Sequence, residues 1–484
     1  MRNTEDSKNV PYVKLIALVS GPLCFFLFEV LKTDMLDDKA WHVLAIASWM
    51  VIWWVFEAVP IFVTALLPIV LFPTTGIFKL ADATTPYASP IIFLFMGGFM
   101  LALAMEKHHL HKRIALNLIR LTGTKSDAII LGFILATACL SMWISNTATA
   151  VMMLPIGLSV VRLLEQSVPA SRAFQNFKLV IFLGIAYAAN IGGIATIIGT
   201  PPNVVLLGYV NSLLSSNISF LEWFVFALPV VILLLFLMFI LLTKVLYPNR
   251  LGDLKTTAIF LEKEIEELGE WTREERLVAI IFTATALAWV FKVQINDLLG
   301  EDLLNDTVAA MAGGIATFLV PIDSKGKMLM KWDTMKELPW GILLLFGGGM
   351  CLAKAMEAAG FVDLIGEKIA HFDTLNWGVI AFGLILLSLF LTEIMSNVAL
   401  TTIAIPMVMS IATGLQISPY YLAIPVAMAS SCAFMMPIST PPNAIVFASG
   451  YIDMKSMLKA GLILNLLSVL ILSLLAYFIL PLLF

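Results

Sequence analysis

At 484 residues the chain is long enough for three soluble domains, yet 60% of it is apolar and only 13% is charged, about half the charged share of an ordinary globular domain. So few charges cannot cover a water-facing surface of that size, so the apolar excess faces lipid. The net charge of −4 is uninformative about nucleic acid, but the basic residues form no dense patch, and no nucleic-acid partner is expected.

The N-terminal MRNTEDSKNV has no small-residue cleavage site after the first apolar run. Residues 1–36 therefore read as a cytoplasmic segment and a retained first span. Apolar stretches long enough to cross the bilayer fall near 12–31, 41–59, 60–78, 89–106, 179–197, 221–246, 277–297, 306–322, 339–356, 420–436 and 457–484. Two longer segments, near 127–160 and 376–412, are interrupted by SNTAT at 145–149 and SNVALT at 396–401. Each is predicted to be a re-entrant hairpin whose polar tip lines a cavity, because non-helical backbone at membrane depth needs protein or water beside it. Between 250 and 276, LEKEIEELGEWTREER reads as an amphipathic linker on the cytoplasmic face. It joins a first half, 37–249, to a second half, 277–484. With the N-terminus inside, and sides alternating at spans but not at hairpins, 23 of the 29 Lys and Arg lie on the cytoplasmic side. The other six are Lys32, Lys39, Lys79, Lys292, Lys354 and Lys368. Cys24, Cys139, Cys351 and Cys432 all sit in apolar runs and read as packing residues.

The halves repeat. FMGGFMLALAME at Phe95–Glu106 matches FGGGMCLAKAME at Phe346–Glu357, an offset of 251 that also takes Ser141 to Thr392, Ser145-Asn146 to Ser396-Asn397 and Pro155 to Pro406. Thr200-Pro201-Pro202-Asn203 recurs as Thr440-Pro441-Pro442-Asn443 at an offset of 240. Each half holds an odd number of crossings plus one hairpin, so the second runs inverted. That is the architecture that places a substrate at the midplane between broken helices. The expected fold is thus an all-α polytopic inverted-repeat transporter, with broken helices over 179–210 and 420–450.

Paired prolines cannot continue a helix, so Pro201-Pro202 and Pro441-Pro442 force breaks that free carbonyls on one side and N–H groups on the other. Freed carbonyls with Ser, Thr and Asn oxygens suit Na⁺, whereas helix N-termini with Ser and Asn suit an anion. Single polar residues often only join helices, but two duplicated clusters at forced breaks exceed that role. Neither hairpin tip nor either break contains Lys or Arg. Helix termini supply roughly 0.3–1 kcal/mol each, against about 4 kcal/mol from a cation about 4 Å away at an effective dielectric of 20. Bound Na⁺ is therefore the expected partner of a dianionic guest. Glu393 reads as a buried, hydrogen-bonded structural acid and Lys354 as the local ion-pair partner of Glu357; Glu57 is a further ionisable residue at a span end. His42, His108, His109, His111 and His371 lack metal-ligand spacing, and no cofactor is expected.

On SMWISNT at 141–147, TEIMSN at 392–397 and SCAFMMPISTPPNAIV at 431–446, the chain resembles the divalent anion/sodium symporter family over nearly its whole length. The resemblance implies eleven transmembrane helices with two hairpins, a homodimer, and elevator-type movement in the inner (plasma) membrane. Carried over by position, one Na⁺ site would use Ser141, Ser145, Asn146 and the Gly199 carbonyl, and the other Thr392, Ser396, Asn397 and the Ser439 carbonyl. Substrate carboxylates would meet Ser145, Asn146, Thr147, Thr200, Pro201, Ser396, Asn397, Thr440 and Pro441, with Val398 standing where many members have threonine. The leading expectation is Na⁺-coupled import of a C4-dicarboxylate such as succinate, malate or fumarate. Alternatives are Na⁺-independent exchange, or citrate or sulfate as substrate. An intramembrane enzyme would need a nucleophile–base pair or a metal triad that the spans do not offer, and opposed hairpins favour a carrier over a channel.

Overall fold

A computed structural model describes residues 6–33, 36–214, 216–324, 326–361 and 376–484. Arg2, Lys325, Lys368 and His371 lie outside the described residues. The described chain is helical throughout, with two isolated bridge pairs and no strand. Among the described residues eight helices are long and apolar enough to cross a membrane, and a ninth span is formed if Arg273–Val290 and Lys292–Leu299, bent by 78° at Phe291, are one crossing. The sequence reading of 277–297 as a single span did not contain that bend. Nor did 60–78 form one helix: Pro60 and Pro68 divide it into Ile61–Thr64 and Leu67–Thr74, because proline lacks the donor that a continuing helix needs.

Both interrupted segments are pairs of helices. The first has arms Ser126–Ser141 and Asn146–Ser167, the second Trp377–Leu391 and Asn397–Gly414. Both arms of the first pack on Arg172–Ile194, and both arms of the second on Tyr420–Ser430. Each of these supporting helices stops before its proline pair, resuming as Pro201–Leu214 and Pro441–Phe447. The second arm of each hairpin then crosses to the other half: Asn146–Ser167 packs on Pro441–Phe447, and Asn397–Gly414 on Pro201–Leu214. The two interruptions of one half are thereby interleaved with those of the other. Arg172–Ile194 is the innermost span, almost wholly covered by protein, and the main apolar core surrounds it. A smaller, separate core forms around Val43, Met50, Trp54, Phe72, Leu345 and Cys351.

The polar linker is an anchored element. Its helix, Lys255–Glu267, packs on the amphipathic helix Leu110–Thr122 and on the first hairpin. Arg113, 4% exposed, places Nε 2.9 Å and Nη2 3.0 Å from the two carboxylate oxygens of Glu275, 3% exposed. Its remaining donors reach the carbonyls of Gly269, Glu270 and Leu268, and the guanidinium lies over the Trp271 ring. Glu275 also closes a capping box with Thr272 at the start of Arg273–Val290. Burial pushes the Glu275 carboxyl up, but bonds from Arg113 and Thr272 outweigh it and hold the group below the usual carboxylate range.

Removing one partner of a buried bidentate pair strands the other charge. Arg113→Gln should therefore cost about 3–5 kcal/mol, read as a lower melting midpoint in detergent. Because the folded Glu275 value is depressed, its stabilisation is complete above the unfolded value of 4.5 and fades as pH falls through the folded one. The gap between wild type and Arg113→Gln should narrow in acid, and an equal gap at all pH values would contradict the assignment.

Candidate functional site

The sequence dictates where each helix restarts. Ser145 is the N-cap of Asn146–Ser167, and its Oγ accepts from the Ala148 amide at 3.2 Å. Ser396 holds the same position before Asn397–Gly414. Asn146 and Asn397 thus occupy the first position of each second arm, with Thr147 and Val398 next. Thr147 is exposed, whereas Val398 is half-buried and packs against both cores.

Behind each tip lies a corner built twice. In the first half the buried Ser141 hydroxyl is 2.6 Å from Asn146 Oδ1 and 2.7 Å from the Ala189 carbonyl. In the second, the buried Thr392 hydroxyl is 2.7 Å from Asn397 Oδ1 and 2.7 Å from the Ser430 carbonyl. A hydroxyl has one proton for two acceptors, so each corner has more oxygen lone pairs than donors. Gly199 also joins the first corner. A Cβ on Gly193 would lie 2.5 Å from Asn146 Oδ1 and 3.1 Å from the Gly199 carbonyl, so glycine at 193 leaves open the space that both oxygens border.

The breaks, 195–200 and 431–440, are held by a repeated asparagine. Asn203 Nδ2 donates to the Thr196 carbonyl at 2.8 Å and lies 3.3 Å from those of Gly193 and Ile194. Asn443 Nδ2 meets the Ala433 and Met436 carbonyls at 3.0 and 3.1 Å. Trp223 Nε1 adds a donor to the Ile194 carbonyl, and the Thr196 hydroxyl donates to the Met142 carbonyl. In the second break Glu393 takes the N–H groups: Phe434 and Met435 on Oε1 at 2.8 and 2.9 Å, Met436 on Oε2 at 3.1 Å, with Asn465 Nδ2 at 2.7 Å. Glu393 is thus buried and hydrogen-bonded, as its place in the sequence indicated.

Thr200 is buried at the end of the first break, directly before Pro201. Thr440 caps Pro441–Phe447, its Oγ1 accepting from the Asn443 amide at 3.3 Å. Pro441 is exposed, while Ser439 bonds within its own break, donating to the Met436 carbonyl at 2.6 Å. The geometry therefore brings together Ser141 and Asn146, with the Gly199 carbonyl bordering the same space beside Gly193, and separately Thr392 and Asn397. The Ser145 hydroxyl serves as a helix cap and the Ser439 hydroxyl as a brace. Among the described residues, no Lys or Arg side chain donates to any of these groups.

One ionisable residue differs from expectation, and one stands where it was expected, just past the helix that ends at Val55. Lys354 makes no ion pair with Glu357 among the described residues; its Nζ lies over the Phe78 ring, 5.9 Å from the centroid. Glu57 pairs at 4.0 Å with Lys14 and is largely exposed.

The model of the sodium:sulfate symporter transmembrane region matches residues 9–484. The chain belongs to that family, the divalent anion/sodium symporters. It is 37% identical over 486 residues to the sodium-dependent dicarboxylate transporter SdcS of Staphylococcus saprophyticus, covering 99% of this chain and 94% of that one. To SdcS of Staphylococcus aureus strain MRSA252 it is 38% identical over 490 residues, with the same coverage. Among solved structures, the YdaH transporter of Alcanivorax borkumensis superposes with a TM-score of 0.58 at 15% identity, over 82% of this chain and 87% of that one. MtrF of Neisseria gonorrhoeae superposes with a TM-score of 0.55 at 11% identity, over 93% and 97%. At that identity these two speak to fold alone. As a member of a transporter family, the chain is a multi-pass membrane transporter and not an enzyme.

Sequence reasoning passed over several residues that shape the site. Asn203 and Asn443 stood inside the repeated tetrapeptide, and their recurrence was the available signal. Trp143, inside SMWISNT, seats the first tip in an aromatic cluster, 4.8 Å from Phe282 and 5.8 Å from Phe220 between centroids. Gly193 had no signal beyond its place before a break.

Na⁺ should raise the melting temperature of the wild-type protein, and Gly193→Ala, by forcing Asn146 out of its corner, should abolish that rise. Gly383→Ala, whose Cβ would meet nothing within 4 Å, should leave that rise intact. An undiminished Na⁺ response in Gly193→Ala would remove this corner from consideration.

Proposed function

We propose that the protein imports a C4-dicarboxylate such as succinate, malate or fumarate together with Na⁺, across the inner (plasma) membrane, with its N-terminus in the cytoplasm. The observation that carries this reading is the duplicated corner, Ser141 with Asn146 and Thr392 with Asn397, rich in oxygen and without a basic side chain. A small cation satisfies surplus lone pairs directly, and hard oxygen donors of this kind suit Na⁺. Gly199 supports the first corner with its carbonyl, and Ser439 is proposed to do so in the second. The sodium-dependent dicarboxylate transport named for the relatives supports the same pairing of ion and substrate.

The dianion is proposed to lie between the tips, against Ser145, Asn146, Thr147, Thr200 and Pro201 from one half and Ser396, Asn397, Val398, Thr440 and Pro441 from the other. Helices begin at Asn146, Pro201 and Asn397, and their N-terminal N–H groups add a modest attraction of about 0.3–1 kcal/mol each. Two Na⁺ per dianion make the loaded site neutral, which is the cheapest state in which to carry it through a low-dielectric interior. A third would add one charge, worth roughly 2.3 kcal/mol per 100 mV.

Alternating access is proposed to move the hairpins and broken helices as one body against the smaller core, in a homodimer. A mostly apolar seam lined by Val204, Val205, Leu345, Phe346 and Met350 lies between a broken helix and Trp340–Ala358, and the Tyr209 hydroxyl, 3.1 Å from the Gly349 carbonyl, is the polar contact that sliding would break there. The positive-inside distribution, 23 of 29 basic residues, supports the orientation.

In proteoliposomes, labelled succinate uptake should require an inward Na⁺ gradient and be competed by malate and fumarate more than by citrate or sulfate. Asn146→Ala and Asn397→Ala should each reduce it by more than about tenfold, equivalent to losing at least 1.4 kcal/mol. Val398→Thr, which adds a hydroxyl at the second tip, should change the ranking among these anions while keeping the Na⁺ requirement. Uptake indifferent to Na⁺ would defeat the proposal.

A further inference from the structure

Asn190 lies near the end of Arg172–Ile194, is 1% exposed, and belongs to the first half of the chain. The carbonyl just before it, on Ala189, accepts from Ser141 at 2.7 Å, so this peptide forms one wall of the first corner. Its side chain reaches into the other half. Asn190 Nδ2 lies 3.1 Å from the Ala433 carbonyl, 3.1 Å from Thr440 Oγ1 and 3.4 Å from Asn443 Oδ1. Those three groups define the second break, since Asn443 braces it and Thr440 caps the helix that follows.

The repeat does not reproduce this link. Ser430, at the offset of 240, turns its hydroxyl back to the Val426 carbonyl at 3.0 Å, and Ser431, which follows the corner carbonyl of Ser430 as Asn190 follows that of Ala189, has a buried hydroxyl without a partner among the described residues. Asn190 Oδ1 is buried without a partner among the described residues. An unbonded buried acceptor costs on the order of 1–3 kcal/mol, so an apolar residue would pack here at lower cost. What the amide provides is a connection between the halves.

We propose that Asn190 is a positioning residue that couples the two cation corners, an inference that rests on the Na⁺-symport reading. A cation at the first corner draws the Ser141 oxygen toward itself and loosens the bond to Ala189. The 189–190 peptide then settles, and the Asn190 amide moves with it against Thr440 and the Ala433 carbonyl. The second break is thereby set for its own cation. Because coupling free energy is reciprocal, filling the second corner strengthens the first equally.

The test is the Na⁺-activation curve of succinate uptake by the full-length protein in proteoliposomes. Wild type is expected to be sigmoidal. In Asn190→Ala the Hill coefficient should fall to about one and the Na⁺ concentration for half-activation should rise severalfold. Asn190→Leu, which fills the same volume without an amide, should do the same, and it carries the test if the alanine variant fails to insert. Asn190→Ser, which keeps one donor, should fall between. A folded variant with an unchanged Hill coefficient, whatever its maximal rate, overturns the coupling. Na⁺-indifferent uptake by wild type overturns the symport reading itself, a result visible before any variant is made.

Discussion

In a bilayer no water is available to bond a loose backbone group, and each one left unpaired costs several kcal/mol. This protein breaks two helices deep in its interior, at 195–200 and 431–440, and everything distinctive about it follows from how those breaks are paired. Asn203 and Asn443 collect carbonyls, Trp223 takes another, and Glu393 collects three N–H groups. The side chains that do this are short and mostly neutral, so the breaks are closed without fixed positive charge. The remaining polar atoms at Ser141, Asn146, Thr392 and Asn397 are left as oxygen-rich corners. Such corners are poor places for an anion alone and good places for an anion accompanied by cations.

The inverted repeat supplies two such corners, but the halves have diverged in informative ways. Met142 stands where the second half has Glu393, and its carbonyl accepts a hydroxyl where Glu393 instead gathers amides. Thr147 is exposed at the first tip, whereas Val398 is folded against two cores at the second. Asn190 crosses between halves and Ser430 does not. A repeated scaffold thus carries two corners of unlike surroundings.

Much of this architecture was legible in the chain itself. Proline pairs and SN motifs mark places where a helix must stop, and helices do restart at Asn146, Asn397, Pro201 and Pro441, directly after those marks or at them. The repeat identified the paired residues because duplication preserves spacing. What was not legible depends on contacts distant in sequence. The bend at Phe291, the aromatic seat of Trp143 and the partner of Lys354 are decided by packing, which no local pattern encodes. Asn190 was hidden because it lies within an apolar stretch, and its partners are about 250 positions away. Arg113 was counted only as a cytoplasmic charge, although it is buried against Glu275.

Small neutral side chains and coupling cations, without a basic residue, are proposed to hold the dianion. This arrangement is tested most directly by an electron cryomicroscopy map of the protein in lipid nanodiscs with succinate and Na⁺. The account predicts ligand density between the tips at Ser145–Thr147 and Ser396–Val398, with a compact density at each of the Ser141–Asn146 and Thr392–Asn397 corners and no Lys or Arg within about 4 Å, the range of a strong ion pair. A lysine or arginine bonded to the carboxylates, or succinate bound with both corners empty, would contradict it.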